Sequence, residues 1–488
     1  MALDEIRKVK LEKLKKLQKM GIDPYPADSN RTHSISEALK EFDSFESSKE
    51  ELVLAGRIMA KREQGGLIFI DLKDGSGKMQ GLIKEDVVSS EPFNTFKELI
   101  DIGDIIEVSG SLFKTKKGER TLEAKTYRLL TKALLPLPEK WHGLQDVEER
   151  YRKRYLDLIM NPEVKNVFVT RSAIVEAVRE FLLKREYLEV QTPILQPIYG
   201  GGSARPFASK LNALDMTIYM RVANELYLKR LVVGGMERVF EFSVDFRNEG
   251  IDRSHNPEFT LFEAMTAYKD YIFGMDIIEE IMEYVIKKVT GDTKITYEGV
   301  GLDFKRPWKR TSMREAIKEY AGIDIESSSD DDLKAFLKKH NLEVAGEYTR
   351  GNAIMAISEE FCEDKFIQPT FLYDYPTETS PLAKRKKNDP KYVERFEQYV
   401  CGMEVGNNYS ELNDPHLLSD NWRQQEEALK KGDEEAQRMD EDFINALEVG
   451  MPPTCGISIS IDRLTMLMTD QHSIRDVIPF PFMKPVKK

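Results

Sequence analysis

The 488-residue sequence holds only three cysteines, Cys362, Cys401 and Cys455, far apart and without a CxxC pair. That spacing argues against a disulfide framework and a thiolate zinc site, and it fits a reducing cytosol, hence a cytoplasmic location. No apolar run approaches the roughly 18 residues needed to cross a membrane, and the N-terminus has no signal-peptide core. Excess positive charge is also missing. Lys+Arg number 72 against 84 Asp+Glu, a net charge of -12, so any nucleic-acid contact must use local patches. What is present, 41% hydrophobic and 32% charged residues, fits a soluble globular chain of two or three domains.

The stretch Phe240 to Glu263, FEFSVDFRNEGIDRSHNPEFTLFE, organises the rest. Phe240, Phe242, Val244 and Phe246 alternate with Glu241, Ser243, Asp245 and Arg247. Beyond a polar loop holding Glu249, Asp252, Arg253 and His255, the residues Phe259, Leu261 and Glu263 share one face. A period of two predicts an antiparallel pair with an apolar face for a core and a charged face for a polar ligand. Arg247 can fork onto a carboxylate or phosphate, and Phe259 offers a flat face to a heterocycle. On pattern alone the alternative is a surface hairpin with a wet charged face.

Residues 2 to about 20 carry Leu3, Ile6, Leu14 and Leu17 at helical spacing, closed by Gly21 and Pro24. Arg7, Lys8, Lys10, Lys13, Lys15, Lys16 and Lys19 occupy the other faces. They form either a solvated lysine face or a phosphate-backbone contact. Residues 52 to about 132 then contain five short alternating strands with hairpin signals at Asp74-Gly75-Ser76-Gly77 and Lys117-Gly118. Such a run suggests a small Greek-key barrel of the OB type, whose members bind single-stranded nucleic acid. Phe69, Arg57 and Gln80 are its candidate base readers, although an aromatic in such a barrel is on pattern alone more often core than platform.

FRNEG followed by HNPEFT resembles motif 2 of the class II aminoacyl-tRNA synthetases. GLQDVEERYRKRYLDLI resembles the family's link between barrel and core, and FVTRSAIVEAVREFLLKREYLEVQTPIL resembles motif 1, a helix and a strand containing Pro193. GISISIDRLTMLM resembles motif 3. The resemblance extends from about residue 50 to the C-terminus and is nearest the lysine-activating members of the aspartate, asparagine and lysine subgroup. It implies an α+β fold, an N-terminal OB-fold β-barrel followed by an antiparallel class II sheet of six or seven strands flanked by helices. The divisions expected are a basic helix and lead-in at 1–50, an anticodon-binding barrel at 51–133, a linker at 134–165 and a catalytic domain at 166–488. A helical insertion at 312–362 carries no assigned chemistry.

The resemblance further implies activation of L-lysine by ATP, transfer to the 3′ end of tRNA(Lys), a Mg2+ cofactor and a homodimer formed through motif 1. Its ATP site falls on Arg247, Glu249, His255, Phe259 and Arg463, with Arg247 and Arg463 catalytic. Its lysine site falls on Gly201, Glu225, Arg247, Glu263, Asn407 and Glu411, with Glu225 on the α-ammonium and Glu411 on the ε-ammonium. The magnesium ligands are Glu397 and Glu404, and the anticodon readers are Arg57, Phe69, Gln80 and Glu123. Glu397 and Glu404 would lie on opposite faces of a regular strand, so a bulge or bend, expected at Gly402, has to bring them together. Asn407 and Glu411, four apart, would share a face on a helical turn.

The chain departs from the family at four positions. Ser458 and Ser460 replace glycines and add hydroxymethyl groups to the expected pocket floor. Met265 replaces a tyrosine whose hydroxyl meets the ε-ammonium, and Asn224 replaces a proline. Three rival functions are a paralogue that attaches lysine to a protein, an aspartate or asparagine enzyme, and a non-catalytic RNA-binding scaffold. The first usually lacks the barrel, and the second needs a cationic side-chain pocket where this chain has Glu411.

Overall fold

The computed structural model describes residues 3–138, 144–344, 346–430 and 438–486. The chain divides into two compact units, Met1–Gly143 and Leu144–Lys488.

The first unit opens with α1 (Leu3–Lys19), α2 (Ile35–Lys40) and α3 (Phe42–Ser48). A reciprocal capping box between Ser34 and Glu37 starts α2. Then come β1 (Leu52–Gln64), β2 (Leu67–Lys73), β3 (Lys78–Lys84), α4 (Glu85–Val88), α5 (Ser90–Leu99), β4 (Ile105–Lys114) and β5 (Arg120–Thr131). The strands close into a barrel in the order β1-β2-β3-β5-β4. Alternate residues fill it, among them Leu52, Leu54, Ile58, Ile68, Ile70, Leu122 and Ala124. The expected lead-in is not separate, because Leu17, Ile35, Phe42 and Phe45 pack into the same core. Buried Lys132 ties the barrel end together through Asp104 at 2.8 Å and Asp101 at 2.7 Å. Asp101 also takes Lys13 of α1 at 2.5 Å.

In the second unit the expected linker is partly folded, as α6 (Val147–Arg152) and α7 (Arg154–Met160). Buried Arg154 pairs with Asp157 at 2.7 Å and donates to the Arg475 carbonyl at 2.8 Å. Residues 139–143 of the linker lie outside the described residues. Next come α8 (Pro162–Leu183), β6 (Leu188–Glu189), β7 (Leu195–Gln196), β8 (Ala208–Leu211), β9 (Met216–Met220) and α9 (Glu225–Val233). They are followed by β10 (Arg238–Phe246), β11 (Glu258–Ala267), α10 (Tyr271–Thr290), β12 (Lys294–Tyr297), β13 (Val300–Asp303) and β14 (Lys309–Ser312). The helical segment is α11 (Met313–Tyr320), α12 (Asp330–His340) and α13 (Arg350–Phe361). The chain ends with β15 (Thr370–Tyr373), β16 (Arg395–Val400), β17 (Met403–Ser410), α14 (Pro415–Lys430), α15 (Glu441–Gly450), β18 (Thr454–Ser460), α16 (Ile461–Thr469) and α17 (Ile474–Val477).

The central sheet has eight strands among the described residues, in the order β14-β15-β16-β17-β18-β11-β10-β6, more than the six or seven expected. It is antiparallel except at its edges, where β14 pairs β15 and β6 pairs β10 in parallel. α8 and α10 cover one face, burying Ile174, Val178, Phe181, Ile278 and Ile281 against Phe240, Phe262, Phe396, Ile457 and Ile459. The opposite face carries the polar members of each alternation. The β6 strand is only two residues long, and Pro193 lies beyond it rather than within it. The highly charged stretch at 419–447 seats Trp422, Phe443 and Leu447 in a core with Leu226 and Val239. Residues 431–437 of that stretch lie outside the described residues.

Candidate active site

The polar face is built from cross-strand rows. Asp245 on β10 opposes Phe259 on β11, and Leu261 opposes Ser460 on β18. Glu263 opposes Ser458, and Met265 opposes Gly456, which in turn opposes Tyr409 of β17. Above these rows lies a cavity of about 310 Å³, lined by Gly201, Glu225, Arg247, Glu263, Arg395, Asn407, Tyr409 and Glu411, with Gly456 and Ser458 on its floor. Six candidates scattered over the sequence for amino-acid binding thus line one cavity. Asn407 belongs to β17 and Glu411 follows it. They share a face through the period of a strand, not of a helical turn.

The charges there are paired inward. Lys229 of α9, 1% exposed, contacts both Glu225, one turn earlier, and Glu411. Burial drives the Glu411 carboxyl up to about 8 against the pull of Lys229. Burial also raises Glu263 well above the carboxylate range, and Glu225, Asp245 and Glu411 add to it. For Lys229, burial pulls downward but Glu225 and Glu411 outweigh it. Gly456 is the close approach that admits Glu411, since a Cβ there would overlap its Oε1. Gly201, at φ +84°, lies against Glu225 and Ala223. Asn224, in place of the expected proline, is buried and donates to Glu241 at 3.0 Å.

Arg247 follows β10 and stacks on Phe259, 5.1 Å from the ring centroid. Among the described residues its Nε is buried without a hydrogen-bond partner, which leaves a donor for a ligand oxygen. Behind it Arg221 pairs with Glu241 at 2.8 Å and Asp245 at 3.1 Å. Arg463, near the start of α16, donates to the Glu404 carbonyl at 2.7 Å and carboxylate at 3.1 Å, and its Nη2 lies 3.5 Å from His255 Nε2. Glu249 is exposed and accepts from the Arg205 amide at 3.4 Å.

Glu397 and Glu404 do share a face, through a bulge at another place than expected. Gln398 opposes Gly406 while Tyr399 opposes Glu404, so Val405 is the extra residue. Gly402, at φ +70°, sits in the two-residue hairpin turn instead. Glu397 pairs with Arg395 at 2.5 Å and accepts from Tyr399 at 2.7 Å. Burial raises its pKa, Arg395 opposes the rise and Glu404 reinforces it. Among the described residues no group of three or more His, Cys, Asp or Glu could hold a metal. Two carboxylates on one face, each balanced by an arginine, nevertheless suit a hard divalent cation whose other ligands are phosphate oxygens and water.

The departures resolve individually. Ser458 lines the floor, but its hydroxyl accepts from the Asn407 amide at 3.1 Å and donates to the Asn407 carbonyl at 2.8 Å. Ser460 is absent from the cavity lining and caps α16, accepting from the Arg463 amide at 3.2 Å. Met265 is 1% exposed and packs with Leu226, Leu228 and Val239 beside the floor rather than lining the cavity. The hydroxyl at the cavity belongs to Tyr409, which faces Glu225. Sequence reasoning missed Lys229, Arg395 and Tyr409, although each lies within four residues of an identified acid. In the barrel Phe69, Leu82 and Glu123 form one cross-strand row and Asp71, Gln80 and Thr121 the next, with Leu82, Asp71 and Thr121 buried. Phe69 is half-buried outside the barrel core. Gln80 accepts from Thr121 at 3.0 Å, Glu123 pairs with Lys84 and Arg57 donates to the Gly103 carbonyl at 2.7 Å.

Comparison with known proteins agrees with both units. Residues 146–484 match the family described as tRNA synthetases class II (D, K and N), and residues 52–130 match the OB-fold nucleic acid binding domain. The chain is 50% identical over 485 residues to a lysine–tRNA ligase of Thermoanaerobacter pseudethanolicus, covering 99% of this chain and 97% of the relative. It is 51% identical over 486 residues to one of Carboxydothermus hydrogenoformans, covering 99% of each. It is 50% identical to one of Clostridium novyi, covering 98% of this chain and 94% of the relative.

Proposed function

The chain belongs to the class II tRNA synthetases of the D, K and N group, and from that premise we propose how its residues perform ATP-dependent ligation of L-lysine to tRNA(Lys). The observation that carries the choice of lysine is the cavity with three buried carboxylates, Glu225, Glu263 and Glu411. Glu225 holds the α-ammonium with Glu263 behind it, and Glu411 pairs with the ε-ammonium. Asn407 and the Gly201 backbone complete the walls.

Arg247 takes the lysine carboxylate and the α-phosphate of ATP together, and its buried Nε, without a hydrogen-bond partner among the described residues, supports that role. Phe259 and Arg463 enclose the adenine, with Glu249 and His255 at the mouth. The carboxylate oxygen attacks the α-phosphorus, the bond to the bridging oxygen breaks, and pyrophosphate leaves. The terminal ribose hydroxyl of the tRNA then attacks the lysyl carbonyl and AMP departs. The substrate carboxylate is already ionised, so the first step needs no protein base. The chain contributes positioning and charge neutralisation. Glu397 and Glu404 would hold magnesium, which when bound neutralises the ATP phosphates.

In the barrel, Phe69 stacks on an anticodon base while Arg57, Gln80 and Glu123 read polar edges. Exposed apolar residues near motif 1, Val169, Leu183, Leu188, Ile194 and Leu195, support a homodimer through that region. Among the described residues no helix is long and apolar enough to cross a membrane, and a cytoplasmic location is proposed on the cysteine pattern. ATP–pyrophosphate exchange across the amino acids, with and without tRNA, tests the whole scheme. Lysine-dependent exchange together with charging of tRNA(Lys) is expected. Exchange without charging favours a protein-modifying paralogue, and no exchange with any amino acid favours a scaffold.

A further inference from the structure

A pocket for a cation carries a cation of its own. Lys229 is fixed between Glu225 and Glu411, and its ammonium lies 5.6 Å from the centroid of the Tyr409 ring. Neither carboxylate can turn to solvent, since Glu225 is 5% and Glu411 1% exposed. Arg395 on the cavity lining is paired with Glu397 and Arg247 is assigned to the substrate carboxylate, so at the ammonium end Glu225, Glu263 and Glu411, when ionised, exceed the one fixed ammonium by two negative charges. An amino acid with an α- and an ε-ammonium supplies two positive charges.

We propose that Lys229 is a specificity-determining residue, which sets the charge of this pocket to the two ammonium groups of a diamino acid and favours the ionised form of Glu411 that meets the second. The proposal rests on the cavity being the lysine site. A buried carboxylate without a partner takes up a proton instead of staying charged. Lys229 pulls against the protonation of Glu411, so without it Glu411 would present a neutral carboxyl to the ε-ammonium over a wider range of pH. With Lys229, Glu411 still titrates at about 8, so the ε-ammonium site forms fully as pH rises through that value. The titratable groups facing this cluster are Glu225 on α9, Asp245 on β10, Glu263 on β11, Tyr409 on β17, Cys455 on β18 and Glu411 itself.

The test is ATP–pyrophosphate exchange by the full chain from about pH 6.5 to 9.5, with lysine and with norleucine, its analogue lacking the ε-amine. Wild type is expected to use lysine, with kcat/KM rising through about pH 8, and to use norleucine poorly. In Lys229→Met the acid limb should move alkaline by about 1–3 pH units, the effect of losing one adjacent opposite charge. Lysine kcat/KM at neutral pH should fall at least about tenfold through KM, with the ATP KM unchanged, and the preference over norleucine should narrow. Lys229→Gln, uncharged and still a hydrogen-bond donor, should behave the same way and replaces the methionine variant if that one fails to fold. A wild-type acid limb and wild-type lysine-to-norleucine ratio in a folded variant overturn the proposal. Failure of both variants to fold overturns it as well, because Lys229 is then a structural residue. If wild type itself does not use lysine, the assignment of the cavity falls instead.

Discussion

Gly456→Ala places one methyl group at the floor of the proposed lysine pocket. The backbone of Gly456 is not in the left-handed region, so alanine brings no conformational strain. The added Cβ would stand 3.2 Å from Met265 Sδ and 3.3 Å from Glu411 Cδ, and would overlap Glu411 Oε1. The carboxylate is the far end of a flexible side chain and yields first, withdrawing by roughly 1 Å to restore an ordinary contact. It cannot withdraw into water, being 1% exposed and tied to Lys229. A displacement of about 1 Å at a positioning group costs on the order of 100-fold, which is about 2.7 kcal/mol. Lysine-dependent exchange should therefore lose about 100-fold in kcat/KM, with the ATP KM unchanged because Phe259 and Arg463 lie away from Gly456. Gly406→Ala is the contrasting variant. Its Cβ would strike the Ser458 carbonyl, which is backbone and cannot yield, and the β17–β18 pairing should open. The reasoning is refuted if folded Gly456→Ala keeps its lysine KM within about twofold, or loses lysine and ATP affinity equally.

Glu404→Gln should lower adenylate formation by at least about 100-fold and alter its magnesium dependence, while near-normal exchange with unchanged magnesium dependence removes Glu404 from the metal site. Phe69→Ala should cost tRNA charging about 1–3 kcal/mol and leave tRNA-independent exchange intact, whereas an unfolded barrel means Phe69 is structural. Met265→Tyr should overfill the cluster of Leu226, Leu228 and Val239, lowering the melting temperature by the equivalent of about 1–3 kcal/mol. Tighter lysine binding with an unchanged melt contradicts that placement. The pH dependence of stability follows from the same pocket. Burial first, then neighbouring acids, raise Glu411 to about 8 and Glu263 above the carboxylate range, against about 4.3 unfolded. The native state then binds more protons than the unfolded one, so this contribution to stability is complete below about pH 4 and is lost as pH rises through the folded values, about 8 for Glu411. The loss is about 1.4 kcal/mol per pH unit for each such carboxyl. Added lysine supplies the missing counter-charges, so its increment in melting temperature should be larger at about pH 8 than at about pH 6. An increment that does not change with pH contradicts the assignment.

The face pattern of the central hairpin was legible because alternation is a local property. Phe240 and Phe262 enter the helix-covered core, while Glu241, Ser243 and Asp245 form the opposite polar face. The bulge joining Glu397 to Glu404 was legible as a necessity, since seven residues on a regular strand separate the faces. Its place was not, because Gly402 suits both a bulge and a tight turn, and only pairing with β16 assigns it to the turn. The serines of β18 show the same limit. Their size is in the sequence, but one patches a ladder and the other caps a helix, depending on which amide lies opposite.

By itself the sequence determined the barrel, the succession of motifs and the residue types that ATP and lysine require, because period, turn chemistry and motif spacing act over a few residues. Tertiary structure alone decided the charge balance of the pocket. Lys229 stands four residues from Glu225 but 182 from Glu411, and nothing local indicates that one ammonium serves both. Burial raises their coupling from a weak surface attraction to the term that governs protonation, and burial exists only once α9, β11, β17 and β18 are packed together.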